Sequence, residues 1–296
     1  VPNFLDALRA LPHSFEGAAL QEGPFGVIGL GEGALSAELL QTLIERRLTS
    51  SGTQFVLASA DWEAAADDYA NIAEASGARA VRLGEAELPK LSGLVPRSVL
   101  STYTFAQWVA HASGHAEQAL DADRLLADLA ARCAPEVQEG NPARELAWSL
   151  WTRTPLLLAA QGEGFLVWAW QVLLARVGKS LSVPVERDPL YVLTGAFEAR
   201  HESGDGRVAL ILGEEDEELA LAREVLHSRV DEVIHVPFPE GVGGYPGSLA
   251  LWYFGAWVAY YLAERYEQSP EDARPLREVL ASLDERSAGE RRGDLN

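Results

Sequence analysis

The sequence predicts an α/β protein made of two halves, each a three-layer αβα unit with a mainly parallel central sheet flanked by helices. Three observations predict it. Short apolar runs alternate with longer segments of helical periodicity along the whole chain, the pattern of parallel strands joined by crossover helices. In each half the first such run ends in a glycine-bearing turn that opens a helix: Gly29, Gly31 and Gly33 in the first, Gly162 and Gly164 in the second. Between the halves lies Pro135-Glu-Val-Gln-Glu-Gly-Asn-Pro142, polar and closed by a proline at either end, as a linker is. These features place one domain at 1–140, a second at 141–283 and a loose charged tail at 284–296.

In order, an amphipathic helix is expected over residues 3–11. The run Phe25-Gly-Val-Ile-Gly-Leu30 reads as a buried strand followed by a tight turn and a helix over 34–47. Strands are expected over 54–59 and 78–82, with a helix over 62–76 between them and helices over 98–111 and 116–132 after them. The second half reads as helix 143–151, strand 155–160, helix 165–177, strand-like 181–185 and 191–193, strand 208–212, helix 215–229 and strand 232–236. Helices over 248–266 and 271–283 close it. Two halves of the same plan suggest an internal duplication at the level of structure.

Composition narrows the partners. Over 296 residues the net charge is −20, which argues against nucleic acid or an anionic membrane surface, since both require basic patches. A phosphate pocket would have to be locally positive within an acidic surface. The longest apolar run, residues 249–263, falls short of the ~20 residues that span a bilayer. Residues 1–20 lack a basic segment followed by an apolar core, so no signal peptide is expected and a cytoplasmic location is. The one cysteine, Cys133, sits in a helical pattern and reads as a small buried apolar residue.

The first glycine turn carries the chemistry. Unpaired N–H groups and the positive dipole end of a helix N-terminus make it a natural anion site, and glycine lets a ligand approach the backbone closely. A dinucleotide fingerprint competes for Gly29-x-Gly31-x-Gly33. That fingerprint wants its third glycine three residues after the second, where Ala34 stands; Asp61 lies about where its acid would.

Five short matches, in order, resemble the bifunctional phosphoglucose/phosphomannose isomerase family, which has two sugar-isomerase (SIS) domains in tandem. Ile28-Gly-Leu-Gly-Glu-Gly-Ala-Leu-Ser36 sits where that family has a G-M-G-G-S-A-I-G turn, and Ser59-Ala-Asp-Trp-Glu63 where it has S-G-N-T-E. Val95-Pro-Arg-Ser98 is similar to its P-R-A segment, and Asn141-Pro-Ala-Arg-Glu-Leu-Ala147 to its N-x-A-K-x-L-A. Tyr261-Leu-Ala-Glu264 with Ser269-Pro270 is similar to its Y-L-A…D-P. The resemblance implies aldose–ketose isomerisation between glucose or mannose 6-phosphate and fructose 6-phosphate through a cis-enediol. It also implies a homodimer, a small-molecule sugar-phosphate partner and no cofactor or metal.

Carried over residue by residue, the resemblance leaves gaps. The phosphate-loop serine falls on Gly33, Ser59 is kept, and the Asn and Thr of the second loop are Asp61 and Trp62. The catalytic glutamate falls on Arg176, Lys179 matches the lysine after it, and no lysine follows Lys179. The nearest carboxylate–histidine set to the expected catalytic segments is Glu198 and His201, base and ring-opening acid if the offset slips by a few residues. Arg97, after a proline at a strand-to-helix junction, is expected either to approach the sugar or the enediolate or to form an ordinary surface ion pair. The candidates are therefore Glu198, His201 and Arg97 for catalysis, and Gly31, Gly33, Ser59, Arg97 and Lys179 for the phosphate. The alternative is a non-catalytic sugar-phosphate sensor or assembly partner.

Other motifs have plainer readings. His111 and His115 have metal-ligand spacing but no third ligand, so a helix face and a cap explain them. Six tryptophans of the second half (148, 151, 168, 170, 252 and 257) read as core or subunit-interface packing. The run Glu214–Glu218 suits a helix N-terminus.

Overall fold

A computed structural model describes residues 3–84, 98–185 and 206–270, with isolated positions 190, 195 and 204. Among them, two parallel sheets carry the two halves. The first has the order β1-β2-β3, from Phe25–Leu30, Thr53–Ala58 and Arg79–Gly84. Its central strand β2 is buried at every position, as a strand covered by helices on both faces must be. The second has the order β5-β4-β6-β7: β4 is Thr154–Ala159, β5 Val183–Val185, β6 Arg207–Leu212 and β7 Glu232–Val236.

Helices α1 (Phe4–Ala10), α2 (Glu32–Leu39), α3 (Glu63–Ala75), α4 (Ser101–Ala112) and α5 (Ala116–Cys133) belong to the first half. The second contributes α6 (Pro142–Leu150), α7 (Gly164–Arg176), α8 (Glu217–Leu226) and α9 (Gly244–Arg265). Every residue of α9 from Tyr245 to Ala263 is buried. It is apolar all round, so no face could be left in water, and it packs on α5, α6 and α7. One buried cluster runs through it from Leu8 and Val27 in the first half to Trp170 and Leu210 in the second.

Three expectations need adjusting. The helix expected over 34–47 starts at Glu32 and ends at Leu39, with one 3₁₀ turn at Leu40–Thr42. The apolar spacing continues through Leu43 and Ile44, but the chain turns back so that Glu45 O accepts from Val27 N (3.1 Å), adding a bridge to the free edge of β1. Helix α8 is shorter at both ends than 215–229; its start is set by Asp216, which caps it by accepting from Leu219 N (2.9 Å). Helix α9 begins at Gly244 rather than at 248. The strand expected over 191–193, the helix over 271–283 and the tail lie outside the described residues.

The proline-bounded segment before α6 is tied down. Asn141 caps α6 by accepting from Arg144 N (3.0 Å). Its amide donates to Cys133 O, Ala134 O and Tyr261 Oη, each at 3.1 Å. The Arg144 guanidinium donates to Val137 O and Pro135 O. Cys133 is buried as expected, its thiol pushed up to about 12 by that burial.

Candidate functional site

The C-terminal ends of β1 and β2 open on the first glycine turn. Gly31 has φ +57° at the position before α2 and is exposed, while Gly33 is buried. The glycines are needed for different reasons. A Cβ on Gly33 would sit 2.5 Å from Leu57 O on β2, and one on Gly29 would collide with Gly33 O. A Cβ on Gly31 would strike Ser59 Oγ and lie 2.6 Å from Trp62 Cδ1. Gly33 thus holds α2 close to the sheet, and Gly31 is the member of the set that faces outward.

Ser59 and Trp62 belong to the turn after β2. Ser59 N donates to Leu30 O (3.3 Å), joining the two turns, and Ser59 O accepts from Trp62 N (2.9 Å) in a 3₁₀ turn over Ala60–Trp62. Ser59 is buried with its hydroxyl against Gly31, while the Trp62 side chain, 48% exposed, covers the same glycine with its Cδ1–Nε1 edge.

The second half reaches this turn through the end of α7. Arg176 Nη1 donates to both carboxylate oxygens of Glu32, the first residue of α2, at 2.7 and 2.6 Å. Lys179 follows with φ +55°, its ammonium donating to Arg176 O (2.8 Å). A helix C-terminus favours cations and a helix N-terminus favours Glu32, so the two dipoles support the pair from both sides. The first turn thus gathers an exposed glycine, a buried serine and an indole, and the Glu32–Arg176 pair ties the end of α7, with Lys179 after it, to the start of α2.

The equivalent turn of the second half has different chemistry. Gly162 (φ +93°) and Glu163 lead from β4 into α7, and Glu163 Oε2 is buried beside Gly213, after β6, without a hydrogen-bond partner. Burial pushes this carboxyl up to about 7; the Glu214 amide opposes the rise, and the Glu214 and Asp216 carboxylates add to it. Asp216 also accepts from Gln161 N (3.2 Å), and His235 Nε2 lies 2.9 Å from Gly213 O.

Of the expected site residues, Gly31, Gly33 and Ser59 lie together at the first turn, and the Lys179 ammonium donates to the carbonyl of Arg176, whose guanidinium reaches Glu32. Arg97, Glu198 and His201 lie outside the described residues. Sequence reasoning missed Glu32, an acid where the resembled turn has glycine, which could have been paired with the arginine that replaces an acid at 176, and Glu163, an acid between two glycines at a strand-to-helix turn. Among the described residues no group of three acidic, histidine or cysteine side chains is arranged to hold a metal. His111 packs on Phe15 (ring centroids 5.2 Å apart), and His115 precedes α5 with its Nδ1 3.0 Å from Ser113 Oγ. Trp170, Trp252 and Trp257 are core residues, whereas Trp148 and Trp151 hold the Arg265 guanidinium at 3.5 and 4.2 Å. No described helix is long and apolar enough to cross a membrane.

The model of the phosphoglucose isomerase N-terminal domain matches residues 4–114, and that of the bacterial phospho-glucose isomerase C-terminal SIS domain matches residues 139–281. The chain is 34% identical to a glucose-6-phosphate isomerase like protein from Thermus thermophilus, covering 93% of each chain with a TM-score of 0.75. Tagatose-6-phosphate ketose/aldose isomerase from Escherichia coli has the same fold at 10% identity (TM-score 0.54, covering 90% of this chain and 88% of that one). So does glucosamine-6-phosphate deaminase from Thermotoga maritima, at 11% identity (TM-score 0.51, 90% and 93%). No curated protein matches the chain. The dinucleotide alternative finds no support here, and the chain belongs to the bacterial phosphoglucose isomerase family of SIS-fold proteins.

Proposed function

We propose that the first glycine turn binds a hexose 6-phosphate and that the protein interconverts its aldose and ketose forms, fructose 6-phosphate with glucose or mannose 6-phosphate. One observation carries the reading: Gly31, at the N-terminus of α2 and beside the Ser59 hydroxyl, precedes Glu32, which Arg176 of the other half reaches with its guanidinium. The phosphate would take the Gly31 turn amides, Ser59 Oγ and a cation. Glu198 would move a proton between C2 and C1, a step that calls for a carboxylate titrating near neutrality. His201 would open the ring, and Arg97 would stabilise the enediolate. Family membership supports this chemistry, and the small-molecule partner, homodimer and cytoplasmic location belong to the same reading.

Binding without turnover is the second reading, and the Glu32–Arg176 pair favours it, because Glu32 puts a negative charge at the phosphate cradle and occupies one of its cations. An isomerase assay starting from fructose 6-phosphate, with thermal-shift titration of the same sugars, separates the two. Turnover that is lost in Glu198→Gln supports isomerisation. A ligand-dependent rise in melting temperature without turnover supports a sugar-phosphate sensor, since a ligand of the folded state must stabilise it. Neither signal would refute both readings.

A further inference from the structure

We propose that Trp62 determines specificity at the first glycine turn: its indole is the wall on which the hexose ring of the ligand stacks. The inference rests on the sugar-phosphate reading above and names how the sugar, as distinct from the phosphate, is recognised. Trp62 is about half exposed, yet its position is fixed. Its amide is held by Ser59 O at 2.9 Å, and the Cδ1–Nε1 edge of the ring lies on Gly31, where a Cβ would be 2.6 and 3.0 Å from those two atoms. One edge of the indole is therefore buried in the turn that would hold the phosphate, leaving apolar ring surface open to solvent beside it.

Such an arrangement suits a ligand with a charged end and a carbon skeleton. An indole face pairs with the C–H face of a pyranose or extended hexose, while nearby carboxylates accept its hydroxyls. Asp61, next to Trp62 in the chain, is exposed, while Glu32, next to Gly31, is largely buried and anchored by Arg176. The acids oppose a bare anion but not a sugar hydroxyl. The turn is thus built to take a hexose phosphate in preference to inorganic phosphate or a short acyclic phosphate, and the Trp62 ring supplies the difference.

Calorimetric titration of the full chain with fructose 6-phosphate, glucose 6-phosphate and inorganic phosphate tests this, comparing wild type with Trp62→Phe and Trp62→Ala. The expected result is a roughly tenfold weaker hexose phosphate Kd for Trp62→Ala, near-normal affinity for Trp62→Phe, and inorganic phosphate binding unchanged in both. Equal hexose phosphate affinity in wild type and Trp62→Ala would overturn the inference and leave the functional reading standing. A parallel loss for hexose phosphate and inorganic phosphate would also overturn it, since the ring would then act only through the turn. No hexose phosphate binding by wild type would refute the functional reading and the inference with it. Should Trp62→Ala fail to fold, acrylamide quenching decides: fructose 6-phosphate must shield a quenchable tryptophan in wild type that is missing from Trp62→Phe, and shielding that is the same in both overturns the proposal.

Discussion

Replacing Glu163 by glutamine tests the electrostatics of the second glycine turn. The native carboxyl is pushed from 4.5 up to about 7, first by burial and then by the Glu214 and Asp216 carboxylates. The folded state therefore binds this proton more tightly than the unfolded state, and stability declines as pH rises between those values. A shift of that size in a fully buried group corresponds to roughly 3 kcal/mol. Glu163 is only half buried, and solvent screening reduces the effect to about 1–2 kcal/mol. Glutamine has the same shape and no charge, so Glu163→Gln should match wild type near about pH 4.5 and exceed it by that amount at about pH 8. In a domain of this size the gain is roughly 2–6 °C in melting temperature. Melting curves of the two proteins from about pH 4.5 to 8.5, in one buffer series at constant ionic strength, give the difference directly. The contributions of all other carboxylates cancel in that difference. Parallel curves, or a variant less stable at high pH, would refute the reasoning.

Three further outcomes follow from particular contacts. Removing the negative charge at the cradle with Glu32→Gln should tighten hexose 6-phosphate binding several-fold at low salt and less at high salt, and Arg176→Gln should weaken it; calorimetry at two ionic strengths checks both. Asp123 is buried and accepts from Tyr103 Oη at 2.7 Å and Gln107 Nε2 at 2.8 Å, so Asp123→Ala should cost about 2–4 kcal/mol in urea unfolding. Asp123→Asn, which keeps an acceptor, should cost less. Cys133, buried and with its thiol pushed up to about 12, should react with a thiol reagent only as fast as the protein opens, so the folded protein should stay unmodified while urea-unfolded chain reacts within the mixing time.

Much of this architecture was legible because it is written locally. The strands announce themselves as short apolar runs, and α9 as an uninterrupted apolar helix that had to be buried. The end of α2 was not legible: Leu39, Leu40, Leu43 and Ile44 keep a helical spacing, and only the bond between Val27 N and Glu45 O shows why the chain turns. The segment before α6 looked like a linker by composition. Its rigidity depends on Asn141 meeting Tyr261, 120 residues away, which no local pattern encodes. The site divides the same way. Gly31 and Ser59 follow from strand-turn-helix patterns, but the bond between Glu32 and Arg176 spans 144 residues. Local reading could find each member and not the pair. The family itself came from the order of five weak matches, none of which suffices alone.

The two glycine turns show how one backbone plan can be given opposite chemistry. Each follows the first strand of its half, each carries a glycine with positive φ, and each opens a helix whose N-terminus attracts anions. In the first, the acid of the turn is Glu32, swung away to meet Arg176, which leaves Gly31 exposed beside Ser59. In the second, the acid is Glu163, folded inward against Gly213 with Glu214 and Asp216 close by. A phosphate brought to the second turn would meet a carboxyl whose own ionisation is already opposed by two neighbours, so its double charge would add repulsion that one helix dipole cannot offset. At the first turn the acid is paired with Arg176, so it repels an anion less than the unpaired Glu163 does, and the Lys179 ammonium donates to Arg176 O. Of these two turns the first is therefore the less repulsive to an anion, as the phosphate placement proposed above requires.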